Sequence, residues 1–229
     1  MSGKRMRENL TQSIEDYLKT IYEIATAHGR ASTNQIAESL EVTPASVTAM
    51  LKKLAATRPP LVEYQKHRGV VLTPDGEKVA LEIVRHHRLL EMFLHQILGY
   101  EWDKVHAEAE RLEHVISEEF EERIAQAMGD PRLDPHGDPI PTRDLHMPDS
   151  STTLLSDLRP GQEAIVQRVR DTDPDLLRYL HDNGLVPAAQ VRVLGYSPFD
   201  ENLSLQVAGH DKPIVLGSRI TNLVFVELK

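Results

Sequence analysis

Between His86 and His114 the chain reads HHRLLEMFLHQILGYEWDKVHAEAERLEH. Six of its residues, His87, Glu91, His106, Glu110, Glu113 and His114, stand at intervals that a helix turns into neighbours. At roughly 100° per residue, Glu110, Glu113 and His114 fall at about 40°, −20° and 80° from His106, within one stripe, while His87 and Glu91 make an i, i+4 pair on a preceding helix. Imidazoles and carboxylates converging in this way ligate divalent cations. The chain has no cysteine, so the site offers only nitrogen and oxygen. That disfavours a structural zinc cluster or iron-sulfur chemistry and points to a harder ion such as Mn(II) or Fe(II). The same absence removes disulfides and thiol catalysis.

The elements that must carry these ligands follow from the hydrophobic period. Residues 73–128 read as helical with a break near Gly99. The apolar positions Val79, Ile83, Leu90, Phe93, Leu94, Ile97, Val105, Leu112, Val115, Ile116 and Ile124 exceed what one helix pair buries alone, which predicts a homodimer interface. Upstream, a helix over 14–27 is followed by a Ser32/Gln35 capping box that opens a second helix over 35–40. Thr43 then caps, and Pro44 suits the first position of a third helix over 45–55 with Val47, Met50, Leu51 and Leu54 facing inward. Two helices at this separation match helix-turn-helix spacing. The segment LVEYQKHRGVVLT adds a hairpin with Lys66, His67, Arg68 and Gly69 at its tip, completing a winged helix-turn-helix pattern. At the cap Thr43, and in the third helix Ala45, Ser46, Thr48 and Ala49, are small enough to meet base edges through hydroxyl bonds and thymine methyls. Lys52, Lys53, Lys66 and Arg68 would hold the phosphates of double-stranded DNA.

Charge is divided accordingly. The net charge is −9, yet residues 1–76 hold ten Lys/Arg against eight Asp/Glu, or +2, leaving −11 for the remainder. A basic reader attached to an acidic, cation-binding body fits that split. No apolar run approaches the ~20 residues of a membrane span, and MSGKRMRENLTQS has no secretory apolar core, so a cytoplasmic protein without membrane contact is expected. Residues 129–151 are rich in Pro, Asp and Gly and read as an extended connection. Beyond them AIVQRVR, AQVRVLGY, LSLQVA, PIVLG and LVFVEL are short strands, with DPDLLRYLHDNG a helix capped by Asp173, and together they indicate a small β-barrel. The expectation is an α+β multidomain chain: a winged helix-turn-helix over 1–76, a helical metal-binding and dimerisation domain over 77–130, a Pro-rich linker over 131–153 and a barrel over 154–229.

The segments EDYLKTIYEI, TPASVTAMLKKL, RGVVLTPDGEKVA, HRLLE, VHAEAERLEHVIS and PHGDPIP resemble the diphtheria toxin repressor and manganese transport regulator family of metal-dependent transcriptional repressors, over nearly the whole chain. The resemblance implies an SH3-like C-terminal barrel similar to ferrous-transport accessory domains, and two metal sites. A regulatory site would use Asp16 with Glu110, Glu113 and His114. A second would use His87, Glu91 and His106, completed from the barrel by Asp171 and Asp173. Iron-sensing members present sulfur where this chain has Asp16 and Glu110, so the resemblance implies Mn(II) before Fe(II). Short manganese sensors carry a glutamate where this chain has Lys19, so the separated two-site arrangement is the one implied.

Blander readings accompany several of these residues. Asp16 stands three after Ser13 and can serve a capping box, and Asp173 before Pro174 is a good helix cap. His86, His95, His136 and His146 lack partners at ligand spacing and are expected on the surface. Two rival functions remain at this point: a metallohydrolase, which lacks a nucleophile or oxyanion motif here, and a metal-independent regulator whose acidic helices only dimerise. The favoured reading is a repressor of metal-uptake genes that binds a palindromic operator when metal is bound.

Overall fold

The computed structural model describes residues 10–170 and 173–229. The chain forms two compact units, one of residues up to 86 with 141–147, the other of residues 87–140 with 148–229.

In the first unit, α1 (Gln12–His28), α2 (Thr33–Ser39) and α3 (Pro44–Ala55) precede a hairpin of β1 (Val62–Gln65) and β2 (Gly69–Leu72), and α4 (Pro74–Gln96) begins here. The expected caps form. Ser32 Oγ accepts from the Gln35 N–H at 3.2 Å while Gln35 Oε1 accepts from the Ser32 N–H at 3.0 Å, and Thr43 Oγ1 accepts from the Ser46 N–H at 3.2 Å with Pro44 opening α3. Leu18, Ile21, Ile36, Val47, Leu51, Leu54, Val70 and Ile83 are fully buried in one cluster, each such side chain contributing roughly 1.5–3 kcal/mol. The wing pairs antiparallel from Val62↔Leu72 to Gln65↔Gly69, and Val70 also bridges Ala31. Gly69 has φ +84, and an added Cβ would lie 2.7 Å from the Ala31 carbonyl oxygen, so the wing's seat on the helices requires glycine.

In the second unit the rest of α4 is followed by α5 (Val105–Leu112) and α6 (Glu118–Ala127). The helical region is thus broken twice, where sequence periodicity predicts one break. Gly99, with φ +71, lies in the first interruption. The second needs no glycine: Ser117 accepts from the Phe120 N–H at 3.2 Å and starts a new helix whose first turn carries Glu118, Glu119 and Glu121, a charge the helix N-terminus favours. Glu113 is consequently the C-cap of α5, and His114 lies in the turn beyond it.

The C-terminal part is a five-stranded antiparallel sheet in the order β6-β5-β4-β3-β7, built from β3 (Glu163–Val169), β4 (Gln190–Tyr196), β5 (Leu203–Val207), β6 (Ile214–Leu216) and β7 (Val224–Leu228). It carries α7 (Pro174–Asp182) and α8 (Ser218–Thr221). Ala164 and Val166, Val191 and Val193, Leu203, Leu205 and Val207, and Val224 and Val226 alternate inward. Irregularities between Val166 and Arg168 and between Val193 and Gly195 bend the strands that carry them. Trp102, the sole tryptophan, belongs to this sheet's core.

The stretch expected to be an extended connection is folded between Leu133 and Pro139, which bridge each other. Asp134 Oδ1 accepts from the N–H groups of His136 (2.8 Å) and Asp138 (3.0 Å), and Gly137, at φ +90, is pressed so close to the sheet that a Cβ would stand 2.0 Å from the Gln167 carbonyl oxygen. Short polar residues that bond their own backbone make such a turn without any apolar period. Among the described residues no helix is long and apolar enough to cross a membrane.

Candidate metal centre

His87 and Glu91 project from α4, and His106 and Glu110 from α5. Both helices pack through Leu89, Leu90, Leu94, Val105 and Ala109, which fixes the facing polar stripes. His87 Nε2 lies 2.9 Å from Glu91 Oε1 and 3.0 Å from His106 Nδ1, and His106 Nδ1 lies 3.1 Å from the same Glu91 oxygen. Three atoms able to donate lone pairs thus form a triangle of nearly equal edges. Cis ligands about 2.1 Å from an octahedral ion are separated by roughly 3 Å, so this triangle has the dimensions of one coordination face. On the other side of the ring, His87 Nδ1 is 2.5 Å from Glu113 Oε2 and 3.8 Å from Glu110 Oε1, while Glu113 Oε1 is 3.3 Å from His114 Nε2. His87 therefore joins the two ligand sets that the resemblance keeps apart. His87, Glu91 and Glu113 are 5%, 2% and 0% exposed; carboxylates this deeply buried require an opposite charge or protons.

The far oxygen of Glu91 faces a group that spacing does not reveal. His136 Nδ1 is 3.7 Å away, and Glu91, Asp134 and His136, all buried, present ligand atoms within 4.8 Å of one another. Asp134 is pushed up to about 7, chiefly by burial and then by the charges of Glu91 and Asp138. Burial also opposes ionisation of Glu91, but His87, His106 and His136 outweigh it and hold that carboxyl well below 4.5. The expectation that His136 and His86 are surface residues is corrected: they are 5% and 0% exposed, whereas His95 and His146 are exposed as expected. A loop histidine has no periodic partner to reveal it, although Asp134-x-His136 between prolines was a readable signal.

Asp173 is exposed and caps α7, accepting from the Asp175 N–H at 2.9 Å, as its blander reading has it. Asp171 lies outside the described residues. Asp16 is on α1 of the first unit, about one turn from the start of the helix and half-buried, and Lys19 one turn on is 7% exposed.

On the first unit Thr43, Ala45, Ser46 and Ala49 are exposed along the N-terminal half of α3, with Lys52 and Lys53 after them and Lys66 and Arg68 at the wing tip, also exposed. Thr43 and Ser46 hydroxyls bond each other at 2.9 Å, and the half-buried Thr48 donates to the Pro44 carbonyl at 2.9 Å. Thr48 therefore keeps only acceptor capacity for a base edge.

Residues 9–70 match the family described as iron dependent repressor, N-terminal DNA binding domain; residues 73–142 match its metal binding and dimerisation domain, and residues 153–228 the FeoA domain. The iron-dependent repressor IdeR of Mycobacterium leprae (strain TN) is 34% identical over 96% of this chain and 98% of its own length. The HTH-type transcriptional regulator MntR of Bacillus pumilus (strain SAFR-032) is 40% identical over 50% of this chain and 77% of its own. A solved manganese-dependent transcriptional repressor in complex with manganese superposes with a TM-score of 0.86 at 38% identity, covering 94% of this chain and 100% of that one. With a full-length relative of that identity, and three consecutive domains matched in order, the chain belongs to the diphtheria toxin repressor family of metal-dependent transcriptional repressors.

Proposed function

We propose that this chain is a Mn(II)-responsive repressor that binds a palindromic operator as a homodimer in the cytoplasm and has no catalytic activity. The observation that carries the reading is the triangle of buried His87 and Glu91 with half-buried His106, a nitrogen-and-oxygen ligand face with no sulfur. His87, Glu91 and His106 hold one ion, with Asp134 and His136 at the far oxygen of Glu91 in the role expected of Asp173; Asp171 retains its role by resemblance. The regulatory ligands are Asp16, Glu110, Glu113 and His114. The proposed domain boundaries are those expected from sequence, with the first helix of the reader supplying Asp16.

A bound divalent cation supplies the positive charge that these crowded carboxylates lack. Without it, Asp16, Glu110 and Glu113 repel one another and α1 is loosely held. With the three carboxylates drawn together, α1 is fixed, and the two α3 helices of the dimer take the spacing of successive major-groove faces, about 34 Å. Lys52, Lys53, Lys66 and Arg68 then contact phosphate, and the small residues of α3 approach the bases. Fe(II) is the second reading, supported by the full-length likeness to an iron-dependent repressor.

The test is a fluorescence-anisotropy titration of a DNA duplex selected from a random pool in the presence of Mn(II), repeated with Mn(II), Fe(II) and Zn(II). Wild-type protein is expected to bind at least tenfold more tightly with Mn(II), and a Glu110→Ala, His114→Ala variant to lose the dependence. Affinity unchanged by any metal overturns the reading, and a larger gain with Fe(II) selects the second one.

A further inference from the structure

Asp134 and His136 are held by no helix or strand, so something else must set the direction of the His136 ring. An imidazole ligates through one nitrogen while the other carries hydrogen, and the partner of that hydrogen decides which nitrogen is bare. His136 Nε2 lies 3.0 Å from the main-chain carbonyl oxygen of Trp102, an atom that can only accept. Nε2 therefore carries the hydrogen, leaving Nδ1 as the nitrogen directed at Glu91 and Asp134.

Trp102 grips the same turn a second time. Its indole N–H donates to the Pro135 carbonyl at 2.9 Å, and its ring lies 5.0 Å from the His136 ring, centroid to centroid. The indole is itself anchored, belonging to the buried cluster that forms the C-terminal core. Next to it Asp103 accepts from Arg178 of α7 at 2.7 Å. From the sheet side, the Val169 N–H donates to the His136 carbonyl at 2.9 Å.

We infer that Trp102 is the positioning residue of the Glu91, Asp134 and His136 centre: its carbonyl selects the His136 tautomer that can ligate, and its indole ties the occupancy of that centre to the packing of the C-terminal domain. The inference rests on the reading of those three residues as cation ligands. It also makes the chain's only tryptophan a reporter placed beside one centre.

The experiment counts Mn(II) bound to the full-length chain by the electron paramagnetic resonance of the free ion, in wild type, Asp134→Ala and Trp102→Phe. The phenylalanine keeps an aromatic ring in the core but removes the donor to Pro135. Asp134→Ala is expected to lose one class of bound Mn(II) and the Mn(II)-dependent quenching of tryptophan emission. Trp102→Phe is expected to weaken that same class about tenfold and leave the others unchanged, the scale on which groups behind a metal ligand act. In parallel, nitrogen-15 spectra of histidine-labelled wild type loaded with Zn(II) are expected to show His136 with hydrogen on Nε2. Should Asp134→Ala bind Mn(II) like wild type, the cation reading of the cluster fails first. Should it lose the class while Trp102→Phe retains full affinity, or should His136 carry its hydrogen on Nδ1, the role of Trp102 is overturned. The spectra decide alone if Trp102→Phe does not fold.

Discussion

Glu113 is completely buried and touches an imidazole on each side, His87 and His114. Shortening it removes a proposed ligand and the carboxylate that orients His87 together, so Glu113→Ala is expected to weaken Mn(II) binding by at least about 100-fold in a competition titration against a fluorescent chelator; retention of affinity within threefold or so would exclude Glu113 from the site. Protons are the competitors at the neighbouring cluster. With metal removed, Asp134 has its value raised to about 7 by burial, so between about pH 4 and 7 the folded chain holds a proton there that the unfolded chain has already released, and stability falls across that interval. His136 has the same sign: burial lowers it, but the hydrogen bond and charge of Glu91 raise it further, and its contribution is present in acid and lost as pH rises. Glu91 has the opposite sign, its contribution being present above about 4.5 and lost as pH falls from there through its lowered value. Chelator-treated protein should therefore melt highest at about pH 4 to 5 and progressively lower from there to about pH 7, with only the loss from His136 continuing above, and Asp134→Asn should flatten the decline below pH 7. A melting midpoint that climbs through neutrality would contradict the assignment. His87, Glu91 and His106 were legible because helical spacing advertises them, whereas His136 acts through a turn, where neighbours in space have no fixed separation in sequence.

Helix starts were readable wherever a side chain announces them. Ser32, Gln35, Thr43 and Asp173 all bond as their spacing predicts. The second interruption of the helical region has no periodic signal, because it is made by a cap at Ser117 with neither glycine nor proline to mark it. The turn at 133–139 is harder still: its order comes from Asp134 bonding two backbone N–H groups and from contact with the C-terminal end of β3, a partner far along the chain. Gly137→Ala tests how much depends on that turn. A side chain there meets both a positive φ and the Gln167 carbonyl, which should cost roughly 2 kcal/mol. Denaturant unfolding should register the loss, and Mn(II) binding in the class that requires Asp134 should fall with it. A variant as stable as wild type would mean that the turn is not seated on the sheet as described.

For the molecule as a whole, the basic surplus of the reader against the acidic remainder converts into a salt dependence. Each phosphate contact contributes about −0.9 to the slope of log affinity against log salt concentration. Lys66→Ala, acting twice in a dimer, should make the slope shallower by roughly 2 with sequence preference retained. An unchanged slope would remove the wing tip from the DNA interface. Dimerisation was inferred from surplus apolar positions, and Ile97, Leu98, Val115 and Phe120 do remain exposed in the single chain. The metal preference was the least legible property, because an all-oxygen-and-nitrogen set narrows the ion to the hard end of the series without choosing within it.

Glu91 faces histidines with both of its oxygens. One of its oxygens meets His87 and His106, the other approaches His136. A carboxylate shared in this way cannot change charge toward His87 and His106 without the turn that carries His136 sensing it. In the proposed site a single ion would therefore draw on the helix pair and the turn at once, and its loss would loosen both together. The link between helix pair and turn is in that sense written into one side chain.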